Sequence, residues 1–156
     1  METTTNETPA WLEGLMREDA RGGALVARWL ASVVSAVGAE RGFVVDQSGG
    51  VIAARDTDGD AVPDARGKLP RAAVEEAGRD DGPWRGEGSA GRGALWGQQV
   101  HVPDADTVTV VLQNRFVPAA FAELEGVPDR TTLQLVLHVL ALRRRVGVLD
   151  EQVAAA

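Results

Sequence analysis

Apolar positions near the C-terminal end of the chain recur on two offset stripes. Leu135, Val139, Leu142, Val146, Leu149 and Val153 follow one another at intervals of four, three, four, three and four residues, the spacing that keeps one seam of a helix turned towards a partner helix in a coiled coil. A helix is therefore expected from Thr131 to about Val153. Leu133, Val136, Leu137 and Leu140 form the second stripe, so the first half of this helix can face its own domain while also meeting another helix. Beyond Arg143 only the seam stays apolar. That part is expected to project and to dimerise, with Leu135, Val139, Leu142, Val146 and Leu149 at the interface. Arg145 and Asp150 flank the seam at positions suited to pairing between parallel chains. Gly147 weakens the helix locally by about 1 kcal/mol relative to Ala.

The same periodicity organises the start of the chain. Thr8-Pro9 reads as an N-cap followed by proline in the first turn, and Trp11, Leu12, Leu15 and Met16 then share a helical face. After Gly22-Gly23 a second helix, Ala24 to about Val37, carries Val26, Leu30, Val33 and Val37 on one stripe, and Gly38 stands where a helix ends. The period then falls towards two. Phe43-Val44-Val45 and Val51 to Ala54 flank Asp46-Gln47-Ser48-Gly49-Gly50, the pattern of a β-hairpin with a five-residue loop. An acidic loop, Asp56 to Asp64, precedes a short helix opened by Pro70 and running to about Ala77. Trp84 to Gly93 is glycine-rich and expected to be irregular. Strands are expected over Ala94–Val102 and Thr107–Phe116 with a turn at Pro103 to Asp106, then a helical turn over Ala119–Glu125, with Asp129 or Thr131 capping the last helix.

This order implies an α+β fold: an antiparallel β-sheet covered on one face by the N- and C-terminal helices. The expected organisation is a disordered N-terminus over residues 1–8, one domain over 9–146 and a helical extension or tail over 147–156.

Composition narrows the function. With 156 residues, 44% of them apolar, the chain is long enough to bury a core. A net charge of -7 argues against binding a phosphate backbone, and Arg143-Arg144-Arg145 is more simply the solvated face of the last helix. No cysteine is present, which removes disulfides, thiolate metal sites and thiol nucleophiles together. No run is long enough to span a membrane and the N-terminus lacks a basic stretch before an apolar one, so a cytoplasmic protein is expected.

Four constellations invite a chemical reading. Asp56, Asp58, Asp60 and Asp64 around Gly59 suit calcium in spacing, but the string lacks the twelfth-position glutamate of an EF-hand and is followed by Arg66 and Lys68. A solvated acidic loop, with at most weak calcium binding, is expected. Gly86 to Gly91 meets GxGxxG spacing without a buried strand before it or a helix after it. His101 and His138 are far apart in the sequence, and Ser89, His101 and Asp104 make a triad only on paper. Trp29 reads as core, whereas Trp84 and Trp96 either line a site or fill it.

Three stretches carry a family resemblance. Gly38 to Val45 resembles the lead-in to the first strand of GAF domains, Gly67 to Val74 resembles their mid-domain helix, and Val110 to Phe116, followed by Phe121 and a long helix, is similar to their closing strand and helix. The resemblance spans Leu12 to Val146 and implies a GAF/PAS-like sandwich. It further implies a non-enzymatic sensory or regulatory domain of a bacterial signalling or transcription-control protein, homodimeric, without cofactor or metal, taking a small molecule or a partner protein and binding neither nucleic acid nor membrane. The ligand-binding residues under this reading are Phe43, Trp84, Trp96, Gln98, Asn114 and Arg115. Asn114, Arg115, Phe121, Glu125 and Gly126 lie like a degenerate cyclic-nucleotide signature. Missing cysteines exclude the bilin-binding and methionine-sulfoxide-reducing members. The segment from Gly78 to Ala94 is short for a pocket cap, which makes a ligand-free dimerisation or protein-interaction module the alternative.

Overall fold

Helix α1, Gly23–Val37, buries Leu25, Val26, Trp29, Leu30, Val33 and Val34 on the face its periodicity predicts. It stops at Gly38, whose φ of +70° suits glycine. There the Gly38 N–H donates to the Ser35 carbonyl and the Ala39 N–H to the Val34 carbonyl, closing a Schellman turn that satisfies two end carbonyls. The computed structural model describes residues 23–79, 82–87, 93–102, 105, 107–114 and 124–155. The tail expected over residues 1–8, the turn of helix around Trp11 to Met16, and Ser89, Asp104, Arg115 and Phe121 lie outside them.

Strands β1 (Arg41–Val45) and β2 (Val51–Asp56) form the expected hairpin. Two short helices follow, α2 (Ala65–Lys68) and α3 (Arg71–Ala77), then β3 (Trp84–Glu87), β4 (Ala94–Val100), β5 (Val108–Asn114) and the long α4 (Arg130–Ala155). The sheet order is β2-β1-β5-β4-β3 with every neighbouring pair antiparallel. The α+β class and the antiparallel sheet are as expected; α1, the second of the two helices expected before the sheet, shares one face of it with α4, meeting over Val44, Trp96, Val110 and Leu112.

Two expectations are corrected. Trp84 to Glu87 is a strand: Trp84 pairs with Gly97 and Glu87 with Ala94, so β4 supplies the order that Trp-Arg-Gly-Glu lacks by itself. The sheet therefore has five strands, not four. The second face is covered too, because Phe43, Val45, Ala54, Leu95 and Val111 point away from α1 and need their own apolar partners. Val62, Leu69 and Ala73 supply them.

Strand alternation thus sorts each residue to a face, and two glycines set how closely the helices approach. A Cβ at Gly42 would stand 2.5 Å from Val34 Cγ2 and 2.9 Å from Leu30 Cδ1 of α1, while one at Gly97 would stand 3.2 Å from the Ala73 carbonyl oxygen of α3. Gly42→Ala is expected to lower unfolding stability by about 1–3 kcal/mol through overpacking. The control Gly82→Ala, where nothing lies within 4 Å, should stay within about 0.5 kcal/mol; urea denaturation of both variants checks the difference.

Candidate functional site

The sheet separates the residues expected to share a pocket. Phe43 is fully buried in the cluster beneath α2 and α3, whereas Trp96 is fully buried in the cluster beneath α1 and α4. Trp84 packs beside the Phe43 cluster with its ring against Gly86. Gln98 and Asn114 lie on the side of Trp96 and each serves the backbone: Gln98 Oε1 accepts from the Val127 N–H at 3.0 Å, and Asn114 Nδ2 donates to the Gly38 carbonyl at 2.9 Å. Arg115 is outside the described residues. Only strand parity, with 43 on one side and 96 on the other, could have signalled this separation in the sequence.

Trp96 and Gln98 belong to a different device, a clasp on the segment that leads into α4. Trp96 Nε1 donates to the Leu124 carbonyl at 3.3 Å, Arg85 donates to the same oxygen, and Trp29 Nε1 donates to the Asp129 carbonyl at 3.0 Å. Asp129 has φ +50°, and its carboxylate accepts from the Thr132 hydroxyl at 2.7 Å. It stands directly before α4, at one of the two positions expected to cap it, but in a left-handed conformation and with its carboxylate on a side-chain hydroxyl and not on a helix N–H.

Two loops at the ends of β1 and β2 repeat one geometry ten residues apart. In the first, Asp46 Oδ1 accepts from the Ser48 N–H at 2.9 Å and the Gly50 N–H at 2.8 Å. In the second, Asp56 Oδ1 accepts from the Asp58 N–H at 2.9 Å and the Asp60 N–H at 3.0 Å. Gly49 and Gly59 take φ of +88° and +85° in turn. Each aspartate mimics a backbone turn. The Asp46 loop does so with Ser48 and Gly50 where the other has Asp58 and Asp60, so the loop form needs no cation. Oxygens of Asp56, Asp58 and Asp60 do come within 4.8 Å of one another, yet Asp56 has committed one of its own to the turn. Thr57 ties this loop to the end of α1, its hydroxyl donating to the Ala39 carbonyl at 2.7 Å.

On the α3 side the sheet changes character at its end. Leu95 and Val111 are core, but further along the same face stand the cross-strand partners Gln99 and Thr109. A cleft of about 640 Å³ opens over them, rimmed by the Asp46 loop and by Arg71, Glu75 and Arg79. Just beyond, His101 Nδ1 lies 3.0 Å from the Thr107 hydroxyl. His138, on α4, is exposed.

Helix α4 shows both stripes over its described side chains. Leu133, Val136, Leu137 and Leu140 are buried, Val139 is half-buried, and Leu135 and Leu142 stand exposed. The side chains of Val146 and Leu149 are outside the description.

The loop geometry carries a pH dependence. The Ser48 hydroxyl, chiefly, and the Ser48, Gly49 and Gly50 backbone hold the Asp46 carboxyl below the usual carboxylate range, against a smaller opposing effect of burial. A carboxylate depressed on folding stabilises above its unfolded pKa, and that contribution disappears as pH falls through the folded value. Because solvent reaches this loop and screens the carboxylate, Asp46→Ala should cost at most about 1 kcal/mol at pH 7 through the lost turn hydrogen bonds. The gap to wild type should close below about pH 4, as read from denaturation midpoints across pH.

No protein-family model matches the chain, and no curated protein matches it. Among solved structures, the gliding protein mglB from Thermus thermophilus is similar in fold, with 14% identity and a TM-score of 0.52 over 88% of this chain and 98% of that one. Its fold is roadblock/longin-like, which corrects the GAF resemblance. The stretches behind that resemblance are a strand lead-in, a short helix and a closing strand with helix, parts that several α+β folds require in the same order; the assembled chain is similar to the mglB arrangement.

Proposed function

We propose that the chain is a non-enzymatic regulatory module that works as a homodimer, with the seam of α4 as its pairing surface. One observation carries this reading: Leu135 and Leu142, at 53% and 43% exposure, are the exposed large hydrophobic side chains among the described residues, and they stand seven residues apart on a single helix. Fully burying a leucine is worth about 1.5–3 kcal/mol, so leaving two open on one line favours a partner. A second copy of the same helix suits the line because its own apolar positions recur at the same heptad interval. The half of α4 before Leu142 is anchored through Leu133, Val136, Leu137 and Leu140, so a change in its packing against α1 would pass directly to the paired helices. The fold neighbour is described as a gliding protein; at that identity the fold alone is common, and the regulatory reading rests on α4.

Sedimentation at about 50 µM, tight enough to hold a micromolar dimer, tests the proposal. Wild type should sediment as a dimer, and Leu135→Asp and Leu142→Asp as monomers with unchanged circular dichroism. A dimer that survives both substitutions removes the seam from the account.

A further inference from the structure

We propose that residues 9–16 dock, within the same chain, on the exposed seam of α4 and compete there with a second copy. Leu135 and Leu142 leave an apolar line open on the outer side of α4. The chain carries a second apolar line in its sequence, ahead of the described residues: the spacing of Trp11, Leu12, Leu15 and Met16 places them on one helical face. Laying one line on the other covers both. Charge favours this occupant. Arg143, Arg144 and Arg145 follow Leu142, and a second copy brings the same arginines to the joint. The N-terminal segment instead brings Glu7, Glu13, Glu18 and Asp19, against Arg17 and Arg21. Opposite charges select a partner and its orientation even where their net energy is small.

The described residues bring the start of α1 to the right end of the molecule. At its other end α1 stops at Gly38, whose carbonyl accepts from Asn114 Nδ2, and a Cβ on Gly42 would touch Leu30 and Val34. From Leu30 back to Gly23 the helix covers about 10 Å, the length of about three strand residues. Gly23 therefore lies level with Val45 and its partner Thr109. Helix α4 passes the same level, since Gln134 donates to the His101 carbonyl just past the Val100–Val108 pair. The two helices are neighbours in one core layer, with axes about 8–10 Å apart. Between Met16 and Gly23 the chain can span up to about 24 Å, enough to pass round a helix about 10 Å across. A tether this short gives the segment a millimolar effective concentration at the seam. On the reading of α4 as the pairing surface, on which this regulation rests, a docked segment holds the chain single, and the dimer weakens with the fraction of chains left open.

The test uses the full chain, which has no cysteine of its own, so Ala10→Cys takes a single nitroxide label. The labelled, nitrogen-15 chain is diluted into unlabelled chain and followed by two-dimensional amide NMR. The nitroxide is expected to broaden the amides of Leu135, Val139 and Leu142 more than those of Asp58 and Gly59. Adding Leu12→Asp and Leu15→Asp to the labelled chain should abolish that difference. In sedimentation the same two substitutions should tighten the dimer Kd by about fivefold or more. Absence of broadening, broadening that appears only when label and isotope are on different chains, or broadening that survives the double substitution overturns docking within the chain. An unchanged dimer Kd overturns the competition. If the seam is broadened as expected and neither wild type nor the double variant dimerises at about 50 µM, the docking stands and the pairing role of α4 falls.

Discussion

The position of α4 depends on two indole N–H groups. Trp29 reaches from α1 to the Asp129 carbonyl and Trp96 reaches from β4 to the Leu124 carbonyl, with Gln98 accepting from the Val127 N–H between them. Val127 carries its N–H into the buried layer, where an unpaired donor costs about 1–3 kcal/mol, while the Leu124 and Asp129 carbonyls are met by the indoles at its half-buried edge. Bulky aromatics suit the task because each buries a large apolar body while presenting a single donor at one edge. With 124–129 clasped at both ends, α4 starts at one place and in one direction. The rotation of the helix about its axis then follows from Leu133, Val136, Leu137 and Leu140 entering the core, and that rotation is what leaves Leu135 and Leu142 outside.

The same economy explains the acidic loop. Asp56-Thr57-Asp58-Gly59-Asp60 attracts a metal reading because carboxylates alternate around a glycine, yet Asp46-Gln47-Ser48-Gly49-Gly50 builds the same turn with one carboxylate. What the two share is an aspartate whose Oδ1 takes two backbone N–H groups and a glycine at positive φ. The shared part is structural. The unshared carboxylates of Asp58 and Asp60 are solvent-exposed, where like charges cost little because water screens them.

How much of this was legible depended on whether the signal was local. The buried stripe of α1, the Gly38 stop and the β1–β2 hairpin each follow from periodicity or turn chemistry within a few residues, and each stands as read; of the double stripe of α4 the part from Leu133 to Leu142 is described and shows it. Strand β3 escaped because Trp-Arg-Gly-Glu has no alternation of its own, and its order comes from pairing with β4. The grouping of Phe43 with Trp96 failed for a related reason. Proximity across a sheet is governed by parity and register, and Phe43 faces Val111 while Trp96 faces the α1 layer. The clasp was invisible too, since the Trp29 to Asp129 bond joins residues a hundred positions apart.

The two faces of the sheet now have different characters, and one residue belongs to both. His101 lies at the end of β4, where its ring meets the Thr107 hydroxyl at the lip of the cleft and its carbonyl accepts from Gln134 Nε2 of α4 at 3.1 Å. Any influence of the α3 side on α4 that runs through this rung requires the His101–Gln134 bond to differ between two states, because a contact identical in both transmits nothing. Elsewhere β4 and β5 are locked in register from Ala94–Asn114 to Val100–Val108. A ladder of that length resists sliding, whereas the residues just past its end, His101 and Thr107, are free of its pairing. There the two faces are joined by the His101–Thr107 and Gln134–His101 hydrogen bonds and not by the strand ladder.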